Sequence, residues 1–104
     1  MPDDLLKYKL IVVGSSAGGM RANQIILENL PSSLRVPIVI AQHVSADSDN
    51  YLVEYLDRHS PLQVVEAKEK EKLQAGFVYI APPNYHVLIE NDLSLSLSVD
   101  HKVN

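Results

Sequence analysis

Two unbroken apolar runs, residues 10–13 (L-I-V-V) and 36–41 (V-P-I-V-I-A), constrain the fold of this chain more than any other feature. Neither alternates with polar residues, and both are rich in β-branched side chains, as in strands covered on both faces. Between them, residues 18–30 carry Met20, Ile25, Ile26, Leu27 and Leu30, an approximate helical face, and Pro31 stops that helix. A doubly covered strand, a helix and a second such strand predict a parallel pair joined by a right-handed crossover.

The pattern then repeats. Residues 47–50 offer caps for a second helix with Tyr51, Leu52, Tyr55 and Leu56 on its buried side and Pro61 at its end. Residues 64–67 read as a third strand. The alternating charges K-E-K-E-K at 68–72 read as a solvated turn. Residues 77–81 read as a fourth strand, stopped by Pro82-Pro83-Asn84. Residues 86–90 and 93–99 flank Asn91-Asp92 as a hairpin, and L-S-L-S-L-S gives that ribbon one wet face. The expected class is therefore α/β: three layers around a mainly parallel, doubly wound, Rossmann-like sheet, with a late antiparallel hairpin. No helix follows the hairpin to cover the second face of strands such as 36–41. The chain accordingly reads as incomplete or as dependent on a partner surface, with a homo-oligomer among the expectations.

Bulk properties narrow the class. The 104 residues make one small domain, and a net charge of −4 without a basic patch argues against a nucleic-acid partner. The absence of cysteine removes disulfides, thiolate catalysis and cysteine-type zinc sites, and fits a reducing, cytoplasmic compartment. No basic-then-apolar leader opens the chain, and no apolar run approaches the roughly 18 residues of a membrane span, so no membrane insertion is expected.

Chemistry in open parallel sheets gathers beyond the carboxyl ends of the strands. There the first strand leads into G-S-S-A-G-G-M at 14–20. It lacks the glycine spacing of a dinucleotide loop and the lysine of a P-loop, which disfavours a nucleotide-binding domain. Gly14-Ser15-Ser16-Ala17-Gly18 does match G-x-S-x-G, the elbow in which flanking glycines lift a serine beside the free N–H groups of the next helix. A tight bend or a helix N-cap remains the competing reading of the same residues.

A nucleophilic serine needs a base. His59 falls at a helix end, where it suits the dipole, and His101 has no arguable position. His86 begins a hairpin strand toward the same sheet edge. His43 ends the second strand in I-V-I-A-Q-H, one crossover from Ser16 and within reach if the two strands are neighbours. A strand-end histidine bonded to a carbonyl is its bland alternative. Asp47, Asp49 and Asp100 are candidate orienting acids, and no spacing selects among them.

Three motifs in order then resemble one family. G-S-S-A-G-G at 14–19, I-V-I-A-Q-H at 38–43 and G-F-V-Y-I-A-P at 76–82, with His86 after it, are similar to the catalytic domain of the protein-glutamate methylesterases of bacterial chemotaxis, the CheB family. The resemblance implies Ser16 as nucleophile, His43 as its base and the backbone near Ala17 as part of an oxyanion hole, with no metal or organic cofactor. It implies methyl-accepting chemoreceptors as partners, their glutamate methyl esters as substrate, and deamidation of certain glutamines.

Departures accompany it. The family's aspartate belongs to a G-M-G-x-D-G segment that these residues do not include, and Val44-Ser45-Ala46-Asp47 stands where P-P-G usually follows Q-H. No receiver domain is expected ahead of the first strand. The expectation is the first half of a catalytic domain over 1–104, with little activity by itself. The competing expectation is a non-catalytic interaction module on the same fold.

Overall fold

The computed structural model describes residues 10–15, 20–42, 51–82 and 85–99. The elements run β1 (Ile11–Ser15), α1 (Met20–Glu28), β2 (Ile38–Gln42), α2 (Tyr51–Arg58), β3 (Gln63–Glu66), β4 (Phe77–Ile80), β5 (Tyr85–Ile89) and β6 (Leu95–Val99). β1 to β4 form one sheet in the order β1-β2-β4-β3, with every pairing parallel, and β5 and β6 form an antiparallel pair. The expected α/β class and element order are both present.

The two apolar runs behave as predicted because side chains alternate across a strand. Ile38 and Ile40 of β2, Val78 and Ile80 of β4 and Val64 of β3 face the helices, where Leu27 of α1 and Leu56 of α2 complete a buried cluster. Ile11 and Val13 of β1 pack against it from the side. On the opposite face Val39, Tyr79 and Ala67 bury against Leu95, with Val87, Ile89 and Leu97 of the hairpin around them. The layers are therefore helices, sheet and hairpin.

The buried stripe of α1 differs from expectation. Ile25 and Ile26 are 49% and 45% exposed, and the sheetward positions are Asn23, Leu27 and Leu30. The cause lies in α2, which fixes the helix's rotation through polar contacts. Tyr55 donates its hydroxyl to Gln24, and Glu28 lies 3.4 Å from Nδ1 of His59. Gln24 and Glu28 thus face α2, which turns the Ile25–Ile26 side outward.

The charged segment 68–72 does more than turn. Lys70 N–H donates to the Leu95 carbonyl, Leu95 N–H to that of Glu71 and Leu73 N–H to that of Leu93, so this link pairs with the hairpin like a third strand. Beneath it, the buried Tyr79 hydroxyl accepts from Gln74 N–H at 2.8 Å. Burial pushes the Tyr79 phenol up from its ordinary pKa, against the pull of the Gln74 bond.

Two further expectations are corrected. Val39 is 2% exposed, so the hairpin rather than a helix covers it on the second face of β2. The hairpin connection is wider than Asn91-Asp92: Leu93 N–H donates to Glu90 and Glu90 N–H to Ser94, with Leu93 at φ 62°. A two-residue turn of the twisted kind wants positive φ at both central residues, usually supplied by glycine, and Asn-Asp has none. A left-handed Leu93 takes up the chain instead, and Asp92 accepts from Ser94 N–H at 3.0 Å to hold the bend.

Candidate active site

The carboxyl ends of β1 and β2 lie side by side. The register runs from Ile11 opposite Ile38 to Gly14 opposite Ala41 and Ser15 opposite Gln42. Both strands are parallel, so both deliver the chain to the same edge. β4 joins there too: Ala81 N–H donates to the Ile40 carbonyl at 3.0 Å. α1 opens at Met20, close in sequence after β1, and its N-terminus carries no acidic residue in the first turn.

Ser16, Ala17, Gly18 and His43 lie outside the described residues, as do Asp47, Asp49, Asp100 and His101. Gly14 is described. It sits within β1, it is exposed, and a Cβ added there meets nothing within 4 Å. Among the described glycines only Gly76 has a left-handed φ, at 87°. Nothing around Gly14 in the described residues therefore demands glycine.

The two described histidines are His59 and His86. His59 caps the seam between the helices, with its ring 4.7 Å from that of Tyr55 and its Nδ1 near Glu28. His86 is in register with Ser98 on the outer, wet face of the hairpin, turned away from the buried cluster that Val87 and Ile89 join. Its place at the start of β5 comes just past the carboxyl end of β4, where Tyr85 N–H bonds the Pro82 carbonyl. Among the described residues no group of three or more His, Asp or Glu side chains is placed to hold a metal ion, and no helix is long and apolar enough to cross a membrane.

Asn23 was not singled out by sequence reasoning. It is 1% exposed, apart from the Tyr79 hydroxyl the sole buried polar side-chain group among the described residues, and its polar atoms are engaged. It occupies the sheetward position of α1 nearest the helix start, and so nearest the edge where β1 and β2 end. A polar residue four positions before Leu27, on the stripe that continues to Leu30, was the signal available. A buried amide costs about 1–3 kcal/mol when unpaired, so its presence marks a specific local requirement.

Comparison with known proteins agrees with this geometry. The family described as CheB methylesterase matches residues 11–104. A relative from Leptospira interrogans is 46% identical over 95% of this chain and 51% of its own length. A protein-glutamate methylesterase/protein-glutamine glutaminase from Thermotoga maritima is 43% identical over 76% of the chain, covering 23% of that protein. The crystal structure of the Thermotoga maritima CheB methylesterase catalytic domain superposes with a TM-score of 0.80 at 38% identity, over 92% of this chain and 52% of that one. The chain thus spans about half of the Leptospira relative and of the Thermotoga catalytic domain. With a parallel β1–β2 edge ahead of G-S-S-A-G-G and Q-H, and with these matches along almost its whole length, this chain belongs to the CheB methylesterase family.

Proposed function

We propose that this chain supplies the nucleophile and the base of a protein-glutamate methylesterase, acting on methyl esters of glutamate side chains in methyl-accepting chemoreceptors. The observation that carries the reading is the pairing of Ser15 with Gln42. Ser16 and His43 are the next residues in the chain after that pair, and the axes of two neighbouring strands such as β1 and β2 lie about 4.8 Å apart. Chain connectivity therefore favours a serine and an imidazole meeting at one sheet edge.

In the proposed reaction His43 takes the Ser16 proton as the hydroxyl attacks the ester carbonyl. The carbonyl oxygen becomes an oxyanion, for which the backbone N–H near Ala17 is the proposed donor. Collapse expels methanol, protonated by His43, and leaves an acyl-serine. Water, deprotonated by His43, then releases the glutamate carboxylate and restores Ser16. The same steps with ammonia as leaving group deamidate glutamine, the second activity in the name of the Thermotoga relative. The route needs neither metal nor organic cofactor. The orienting aspartate belongs, by the family resemblance, to a segment outside these 104 residues, so residues 1–104 are proposed as the first part of the catalytic domain. The lack of cysteine suits the cytoplasm, where we place the protein.

The test is Ser16→Ala against Ser15→Ala in a protein carrying the complete catalytic domain. Methanol release from methylated receptor should fall at least about 10³-fold in the first, in line with triad knockouts, and thermal melts should barely move. Ser15→Ala should cost at most a capping bond of about 1 kcal/mol in stability. Activity that survives Ser16→Ala and dies with Ser15→Ala overturns the assignment, and no activity in either parent or variants favours a non-catalytic module.

A further inference from the structure

Two helices follow the two residues on which the proposed reaction turns. α1 opens at Met20, four residues after Ser16, and α2 at Tyr51, eight residues after His43. The ladder between β1 and β2 fixes backbone pairing as far as Ser15 and Gln42. Beyond that pair, polar side chains of the described residues tie the two helices together across the seam between them.

The Tyr55 hydroxyl donates to the side-chain oxygen of Gln24. Gln24 Nε2 donates in turn to Glu28 Oε1 at 2.7 Å, and the same Oε1 lies 3.4 Å from Nδ1 of His59. The His59 ring then returns to Tyr55, with centroids 4.7 Å apart. Each side contributes residues four apart, 24 and 28 against 55 and 59, so one turn of α1 meets one turn at the end of α2. The amide at position 24 suits its place because it accepts the phenol proton and donates to the carboxylate at once. A glutamate there could not donate. Glu28 and His59 are more than a third exposed, where ion pairs contribute little. The Tyr55 ring is packed against the core cluster, so its contact with Gln24 is the part that orders α1.

The rotation held in this way puts the amide of Asn23 against the sheet, although Ile25 and Ile26 stand beside it in the chain. Apolar burial by itself does not select that rotation. We infer that Tyr55 is a positioning residue for the proposed hydrolysis: through Gln24 it fixes the rotation of the helix behind Ser16 relative to the helix behind His43. The inference rests on the reading of those two residues as nucleophile and base. Cα atoms lie about 2.3 Å from a helix axis, so a roll of about 25° moves each of them by about 1 Å. A misplacement of about 1 Å between reacting groups costs up to about 10²-fold in rate. Three residues join Ser16 to α1, so a roll of the helix reaches the nucleophile.

Turnover of methylated receptor by Tyr55→Phe, in a protein carrying the complete catalytic domain, tests this. The substitution removes the hydroxyl and keeps the ring in the core and beside His59. The expected result is a kcat lowered about tenfold with KM within about twofold of the parent. Gln24→Leu should do the same, and the double variant should be no worse than either, because both break one contact. Asp57→Ala is the control for stability: it removes the acceptor of Val64 N–H at the outer edge of β3, on the same helix as Tyr55. It should lower the melting temperature to a similar extent and leave kcat unchanged. If Tyr55→Phe fails to fold, Gln24→Leu at the helix surface carries the same readout. A folded Tyr55→Phe or Gln24→Leu with kcat within about twofold of the parent, additive losses in the double variant, or an equal loss of kcat in Asp57→Ala overturns the inference alone. A parent without activity, or activity that survives Ser16→Ala, overturns the reading of the site and this inference with it.

Discussion

Val12 and Val39 are Cα partners on neighbouring strands and point to the same face of the sheet, yet one is 58% exposed and the other 2%. The residue type, the strand type and the register are shared. The hairpin makes the difference. Leu95, Leu97, Val87 and Ile89 rest over β2, β4 and β3, and among the described residues the β1 side of that face contributes only Leu10 to the cluster. A strand's apolar sequence states its capacity to be covered on both sides, and the reach of another element decides whether it is. The contrast matters for function because the candidate active site lies where the covered and the uncovered strand end together.

The sharpest break of this comparison is to remove the cover. Leu95 is fully buried at the centre of the second cluster, so Leu95→Ala should cost about 2–5 kcal/mol. In a domain of this size that is a fall in melting temperature of roughly 8 °C or more. A loss below about 1 kcal/mol in a denaturant melt would show that the hairpin is not what buries Val39.

The paired valines give the middle-sized effect. Val39→Ala removes most of a buried side chain whose burial is worth about 1.5–3 kcal/mol, whereas Val12→Ala should stay within about 0.5 kcal/mol. Equal costs would erase the distinction between the two strands.

The smallest effect concerns the guarded edge. Asp57→Ala takes away the acceptor of Val64 N–H and should cost about 1 kcal/mol, with faster hydrogen exchange at Val64. Unchanged exchange there would mean that the carboxylate does not close the β3 edge, the end of the described sheet opposite β1.

Much of the fold was legible because local rules and burial agree. Both apolar runs became parallel neighbours, prolines stopped the helices, and the serine-leucine alternation produced a ribbon with one wet face. The strand ends that the candidate site needs were legible for the same reason, since a strand–turn–helix order places them at one edge. Legibility failed where a contact distant in sequence chose among locally equal options. The rotation of α1, which hides Asn23 and exposes Ile25 and Ile26, depends on Tyr55 and His59 some thirty residues later.

The amino-acid sequence by itself determined the α/β class, the element order and the family motifs at 14–19, 38–43 and 76–82, because periodicity, breakers and motif spacing are properties of neighbouring residues. The tertiary structure alone decided that β4 inserts between β2 and β3, that a charged link becomes a third member of the hairpin, and that β1 is the outermost strand of the described four-stranded sheet. Those outcomes depend on which surfaces and backbone groups meet after the chain has doubled back. A hydrogen bond such as Leu95 to Glu71 joins residues whose local sequences carry no mark of each other. Their pairing is selected by the burial of Leu95, Tyr79 and Val39 together, and burial of that kind exists only once the layers have been assembled.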